Sequence, residues 1–236
     1  MPTNGSSPLS VIIPALDEGD IIAATLTALS PLRTRGVEVI VVDGGSIDRT
    51  ADLARPLADK VIASPRGRAV QMNAGAAIAR ADVFLFLHAD TRLPPDADRL
   101  ITEGLARTGR QWGRFDVRIS GRSIFLPALA AFMNWRSRLT GIATGDQAIF
   151  VTRDLFRSLG GFPAIALMED VALSARLKKA SRPLCLRARV TTSGRRWERH
   201  GVVRTILLMW RLRLGFYFGA EPSALARRYD DARNKA

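Results

Sequence analysis

The first ninety residues repeat one pattern: a short apolar, largely β-branched run, then a polar turn, then a helical stretch. Residues 9–13, ended by Pro14, and residues 37–42 read as buried strands, and residues 60–63 and 83–87 as a short third and a fourth strand. Between them, residues 21–29 and 68–80 have helical spacing, and Asp48 is placed to cap a helix running to about Arg55. Strands that are apolar throughout need cover on both faces, which predicts a mostly parallel sheet between two layers of helices. Ligands of such sheets bind beyond the carboxyl ends of the strands. The acidic residues fall there: Asp17 and Glu18 after the first strand, Asp43 after the second and Asp90 after the fourth. A random surface scatter would not collect them on one edge.

The second half is less regular. Residues 112–119 and 148–151 read as strands, and residues 124–139 and 171–179 as helices. Gly160-Gly161-Phe162-Pro163 is a loop, and Glu169-Asp170 stands at the entry of the 171–179 helix. Residues 202–218 are apolar almost all round, yet 17 residues interrupted by Arg204, Arg211 and Arg213 make a poor membrane span. With no linker and no internal repeat, the expected organisation is a flexible start (1–8), one domain (9–200) and a helical C-terminal appendage (201–236).

Cys185 is the only cysteine, which excludes an internal disulfide and suits a reducing compartment. The opening residues have neither a basic nor an apolar signal region, so the expected location is the cytoplasm. His88 and His200 are the only histidines, so a bound metal should be a hard ion on carboxylates, Mg²⁺ or Mn²⁺. The net charge of +13 is uneven: residues 1–173 carry 19 basic and 18 acidic groups, residues 174–236 carry 16 and 4. The basic C-terminal part points to phosphates, a membrane surface or nucleic acid, unless its arginines are simply a solvated face.

Three polar clusters have the right chemistry. In His88-Ala89-Asp90-Thr91 a carboxylate at a strand end suits a divalent ion on a diphosphate, although Asp90 would also serve as a plain turn or helix cap. Glu169-Asp170 at a helix start suits a base that takes a proton from a hydroxyl, although acidic first turns are common. Gly145-Asp146-Gln147 is either a third part of the site or a simple turn.

Together these segments resemble glycosyltransferase family 2. Pro14-Ala15-Leu16-Asp17-Glu18 is similar to its Pro-x-x-Asn-Glu, and Val42-Asp43-Gly44-Gly45-Ser46-Ile47-Asp48-Arg49-Thr50 to its Val-Asp-Asp-Gly-Ser-x-Asp-x-Thr. His88-Ala89-Asp90 stands where the family has its Asp-x-Asp metal motif, and Gly160-Gly161-Phe162 through Glu169-Asp170 resembles its Gly-Gly-Phe…Glu-Asp segment. The resemblance implies a GT-A fold, a Rossmann-like mostly parallel sheet flanked by helices, and an inverting transfer from a UDP- or GDP-sugar. It implies that Pro14, Asp17, Glu18, Asp43 and Arg68 hold the nucleotide, that Asp90 holds the metal and diphosphate, and that Asp170 is the base. Gly145, Asp146, Gln147 and Glu169 would then face the acceptor, a small molecule or a lipid-linked one. Two positions depart from the family: His88 replaces the first Asp of the metal motif and becomes a candidate ligand, and Gly44 replaces an Asp, which loosens the nucleotide pocket. Arg195 and Arg196, before Trp197, stand where processive members carry Gln-x-x-Arg-Trp, and paired guanidiniums suit a departing diphosphate. The whole motif set also resembles a small bacterial subgroup linked to arsenosugar or selenium-associated gene clusters.

The rivals are weaker. A nucleotidyltransferase acting on sugar phosphates should carry a glycine-rich basic loop directly after the first strand, where this chain has Ala15-Leu16-Asp17-Glu18. A basic nucleic-acid-binding or membrane-surface protein is the second rival, but the C-terminal part resembles no nucleic-acid-binding motif. No Gly-x-Gly-x-x-Gly follows the first strand, which disfavours a dinucleotide oxidoreductase. Residues 202–218 are expected to pack on the domain or on a second copy. The other arrangement lays them on an anionic membrane, but Arg213 falls nearly opposite Arg204 and Arg211, so no clean amphipathic surface results.

Overall fold

A computed structural model describes residues 8–234. Every residue of β1 (Ser10–Ala15) and β2 (Glu38–Asp43) is buried, as both-sided cover requires. With β3 (Lys60–Ala63), β4 (Val83–Phe86), β5 (Thr91–Arg92), β6 (Trp112–Ser120), β7 (Phe150–Thr152) and β8 (Leu184–Ser193) they form one sheet of order β3-β2-β1-β4-β7-β6-β8-β5. The first four strands run parallel, and β7 enters antiparallel between β4 and β6. β6 and β8 pair in parallel, with a register shift between Phe115 and Asp116.

The helices are α1 (Ile22–Ala28), α2 (Ser30–Arg33), α3 (Thr50–Ala54), α4 (Arg68–Ile78), α5 (Ala97–Thr108), α6 (Leu126–Thr140), α7 (Arg153–Ser158), α8 (Glu169–Ala180), α9 (Arg195–His200), α10 (Val202–Tyr217) and α11 (Pro222–Asn234). Alternate strand residues face opposite layers. Val11, Ile13, Val39, Val41, Leu85 and Leu87 meet α1, α5 and α6 through Ile22, Leu26, Ile101, Leu105 and Met133. Ile12, Ile40, Val42, Phe84 and Phe86 meet α4, α7 and α8 through Met72, Ala76, Phe156, Leu173 and Leu177. The β2 carboxylate Glu38 is buried yet satisfied: Ser10 Oγ (2.6 Å) and the Arg80 N–H (2.9 Å) donate to it, and Lys60 Nζ lies at 2.9 Å. Desolvation alone would raise its pKa; these partners hold it below its ordinary value.

The structure departs from the sequence expectations in two places. Pro14 does not end β1 but lies within it, in register with Val42. β8, a ten-residue strand, was not foreseen as an element. In β8 the exposed Arg187 and Arg189 alternate with more buried neighbours, so part of the basic excess belongs to the solvent side of a strand. In line with the packing expected for residues 202–218, α10 and α11 pack on the segment that leads into α8, joining Leu212 and Leu225 to Met168, with Leu167, Val171, Leu208, Met209, Phe216 and Tyr229 around them. Among the described residues no helix is long and apolar enough to cross a membrane.

Gly113 marks where β6 is most tightly confined. A Cβ there would lie 2.2 Å from the Leu184 carbonyl oxygen and 2.5 Å from Phe150 Cζ. Gly113→Ala should therefore destabilise the protein by about 2–3 kcal/mol, as overpacking does, lowering the urea midpoint with an unchanged m-value. An unchanged midpoint would mean that β6 and β8 separate at little penalty.

Candidate active site

The loops after β1 and β2 are knitted together by their own carboxylates. Asp17, at φ 53°, donates its N–H to Ser46 Oγ (2.9 Å) and accepts the Ile47 N–H (2.9 Å). Asp43 accepts the N–H groups of Gly45 (3.2 Å) and Ser46 (3.1 Å) and the Ser46 hydroxyl (2.5 Å). Asp48 accepts the N–H groups of Gly19 and Thr50, both at 2.9 Å, and the Glu18 N–H reaches Thr50 Oγ1 at 2.8 Å. Asp17 and Asp43 thus set the loop shape, and Pro14 is buried in β1 as part of its frame. Gly44 does not loosen the pocket as expected. The Gln71 amide, donating to the Ala15 and Val42 carbonyls at 2.8 Å each, fills that space, and a Cβ on Gly44 would lie 3.0 Å from it.

Beyond β4, the Thr25 hydroxyl holds the Ala89 carbonyl at 2.5 Å. The two residues of β5 pair with β8, which brings Thr91 Oγ1 to 3.1 Å from Thr192 Oγ1. Asp90 receives only long contacts from these hydroxyls, 3.3 Å from Thr91 and 3.5 Å from Thr192. Its oxygens therefore keep capacity for another ligand. His88, the other candidate ligand, contacts the neighbouring turn. Its Nδ1 lies 3.3 Å from Asp146 Oδ1, and its Nε2 lies over Gly145, 2.3 Å from where a Cβ would stand. The Nδ1 contact ties His88 to the Gly145-Asp146 turn, and the ring packs against Gly145. Among the described residues no three side chains of ligand type form a metal cluster. Asp90 with free oxygens fits a hard divalent ion that takes its other ligands from substrate phosphate and water.

That turn, a 3-10 helix over Gly145–Gln147, also reaches the third cluster. The Gly145 N–H donates to Asp170 Oδ2 at 2.7 Å, and Asp170 Oδ1 accepts the Val171 N–H at 2.7 Å. Gln147 was expected to face the acceptor, but it is 0% exposed and braces the turn through Asn134 (3.4 Å) and the Thr144 N–H (3.3 Å). Asn134 in turn bonds both backbone groups of Val117. The Gly160-Gly161-Phe162 loop is clamped to α4 by Asn73, which accepts the Phe162 N–H and donates to the Phe162 carbonyl, each at 2.9 Å.

Electrostatics shows which side chains share a site. Burial pushes the Glu18 carboxyl up and Asp90 adds to this, while Arg195, Arg68 and His88 oppose it. Arg195 Nη2 lies 4.0 Å from Glu18 Oε2. Arg68 is exposed as a residue. Desolvation pulls its pKa down, but Glu169, Tyr229, Asp146 and Asp170 outweigh that and leave it raised. Glu169, 6% exposed, is pushed up by burial and by Asp170, with Arg68 opposing. Glu18, Arg68, His88, Asp90, Asp146, Glu169, Asp170 and Arg195 are thus brought together, while the Arg196 side chain lies outside the described residues. Gln71 and Arg136, which acts on Asp170 electrostatically, were not anticipated. A helix interior offers no local pattern that singles out such residues.

The model of the family described as Glycosyl transferase family 2 matches residues 10–157, more than half of the chain. The chain is 29% identical over 194 residues to the probable glycosyltransferase YdaM of Bacillus subtilis (strain 168), a match covering 72% of this chain and 46% of that protein. It therefore spans about half the length of this curated relative. Among solved structures, S. aureus TarS 1-349 in complex with UDP-GlcNAc is similar at TM-score 0.63 and 17% identity, over 78% of this chain and 58% of that one. Mannosyltransferase PcManGT from Pyrobaculum calidifontis, in complex with GDP-Man and Mn²⁺, is similar at TM-score 0.63 and 19% identity, over 98% and 73%. At these identities the likeness is one of fold, and the fold is GT-A-like.

The raised Glu169 pKa has a definite stability consequence. Because the folded state holds this proton more tightly, its stabilising effect is complete below the unfolded glutamate value and is lost as pH rises through the folded one. Glu169→Gln mimics the protonated form. It should match wild type near pH 4, close to the ordinary glutamate value of about 4.3, and melt a few degrees higher at pH 7.5. A variant less stable than wild type at pH 7.5 would show that pairing with Arg68 outweighs the burial penalty.

Proposed function

The chain belongs to glycosyl transferase family 2, and from that footing we propose that it moves a sugar, with inversion, from a nucleoside-diphosphate donor to an acceptor hydroxyl. The observation that carries this reading is Asp170, held by the Gly145 N–H beside a group that includes Asp90, Arg68 and Arg195. Asp170 takes the acceptor proton as the acceptor oxygen bonds to the anomeric carbon. The bond from that carbon to the diphosphate oxygen breaks on the opposite face, and the nucleoside diphosphate leaves with the electron pair. No covalent enzyme intermediate is required.

A divalent ion, Mg²⁺ or Mn²⁺, bound by Asp90 and the donor's phosphates would supply charge compensation for the leaving diphosphate. Arg195 and Arg68 add fixed positive charge on the same side, and guanidiniums grip phosphate in two-point fashion. The loops knitted by Asp17, Asp43 and Asp48 would frame the nucleotide, with UDP or GDP as the candidate carriers, since the structural neighbours were crystallised with UDP-GlcNAc and GDP-Man. The motif set supports membership of the arsenosugar- or selenium-associated bacterial subgroup as part of the same proposal, and a cytoplasmic setting is consistent with the single cysteine.

Two substitutions test the roles. Asp170→Asn keeps the shape and the contact to Gly145 but cannot accept a proton, so turnover should fall about 100-fold or more with donor binding nearly unchanged. Equal losses of binding and turnover would give Asp170 a structural part instead. Asp90→Ala should abolish metal-dependent binding of UDP or GDP, followed by calorimetry with and without Mn²⁺, while the circular dichroism stays native. Unfolding of this variant, with no metal effect on wild type, would reduce Asp90 to a turn residue.

A further inference from the structure

Near Asp170 stands a second group of arginines. Arg136 projects from α6, Arg213 from α10 and Arg114 from β6. Arg114 is fully buried and largely satisfied, bonding Asp116 through Nη1 and the Asn134 carbonyl through Nη2 at 3.1 Å. Arg136 and Arg213 are not. Arg136 Nε and Nη2 and Arg213 Nε are buried donors without a hydrogen-bond partner among the described residues. Neither guanidinium has a carboxylate within ion-pair distance among those residues.

Burial and repulsion from Arg213 pull the Arg136 pKa down to about 10, with Asp170 the carboxylate that opposes this. Two like charges with buried, unpaired donors are costly, and buried polar groups in folded proteins are nearly always paired. The arrangement is what an oxyanion would complete, because a planar guanidinium matches phosphate or carboxylate in two-point fashion. Asp170 is the group shared by both sets: it acts electrostatically on Arg68 and on Arg136. With the donor's diphosphate assigned to Arg68, Arg195 and Asp90, the unpaired donors of the second set are left for the acceptor.

We propose that Arg136 and Arg213 form an oxyanion subsite for the acceptor, which therefore carries a phosphate or carboxylate close to the hydroxyl that receives the sugar. This rests on the reading of Asp170 as the base. The same chemistry could reach the site on a free small molecule or on a lipid headgroup, because Phe132, Trp135 and Trp210 form an exposed aromatic group on the outer side of α6 and α10, with Phe132 and Trp210 centroids 6.0 Å apart.

The test uses the full chain saturated with UDP (or GDP, whichever binds) and Mn²⁺, so that the donor side is filled. Inorganic phosphate is titrated by calorimetry in one arm. In the other, phosphatidylcholine vesicles with and without phosphatidic acid are tested by co-sedimentation. Wild type should bind in at least one arm. Arg136→Gln and Arg213→Gln should each weaken that binding about tenfold or more, with nucleotide affinity within twofold of wild type. Arg157→Gln, the same charge change at an exposed position of α7, should leave it unchanged. Arg136→Lys and Arg213→Lys, which keep the charge but lose the fork, stand in if a glutamine variant misfolds, and should also weaken binding. A response to phosphate assigns a soluble acceptor, and a response to phosphatidic acid alone assigns a lipid one. Nucleotide binding that falls along with phosphate binding would move both arginines to the donor side and overturn the inference. So would equal binding by wild type and all variants, or normal nucleotide binding with no response in either arm. Failure of wild type to bind any nucleoside diphosphate would instead sink the glycosyltransferase reading, and this subsite with it.

Discussion

The site depends on one backbone N–H. Gly145 donates it to Asp170, and on the same residue the absence of a side chain lets the His88 ring lie against the α-carbon. Asp146, next in the chain, meets the other nitrogen of that ring. One turn therefore fixes the strand-end segment that carries Asp90 and the helix start that carries Asp170. Those segments are some eighty residues apart in sequence, and no other contact described at the site joins them so directly. A Cβ on Gly145 would stand 2.3 Å from Nε2 and 2.6 Å from Cε1 of that ring, so any larger residue would displace it.

Three residues other than glycine adopt positive φ among the described residues, and each adjoins the site: Asp17 after β1, Ala148 after the Gly145 turn, and Met168 just before Glu169. Such conformations are strained by roughly 1–3 kcal/mol each and survive only where the surroundings over-determine them. Asp17 is held by Ser46 and Ile47, and Ala148 is wholly buried. Met168 is held by Leu212 and Leu225, which gives α10 and α11 a purpose beyond covering surface. They fix the angle at which the chain enters α8, and with it the direction of the Asp170 carboxylate.

Much of this was legible in the sequence, for physical reasons that can be traced. The strands β1, β2 and β4 showed themselves because near-complete burial leaves few polar positions, and the carboxyl ends showed the acids because ligand sites of such sheets lie there. β8 was hidden because Arg187 and Arg189 made it read as part of a charged tail, although residues with outward-facing arginines and inward-facing apolar groups can form an ordinary edge-side strand. The substitution of glycine at position 44 looked like a loss until Gln71, 27 positions on, was found filling the space. Arg136 and Gln147 belong to the same class: what defines them is a partner distant in sequence, and no local spacing records it.

The pairing of β5 with β8 has a consequence for the order of assembly. β5 has two residues, far too few to stand as a strand without a neighbour, and its neighbour is about a hundred residues later, Thr91 against Thr192. Closing so long a loop delays the contact relative to the local βα units that precede it. During synthesis the nucleotide-side loops can form as soon as β1, β2 and α4 have emerged. The Asp90 segment, by contrast, lacks its frame until β8 has been made and has added to the sheet. A chain interrupted before residue 184 would hold most of the recognisable motifs and still lack the β-strand partner that frames Asp90, so the site is completed late and with the last strand.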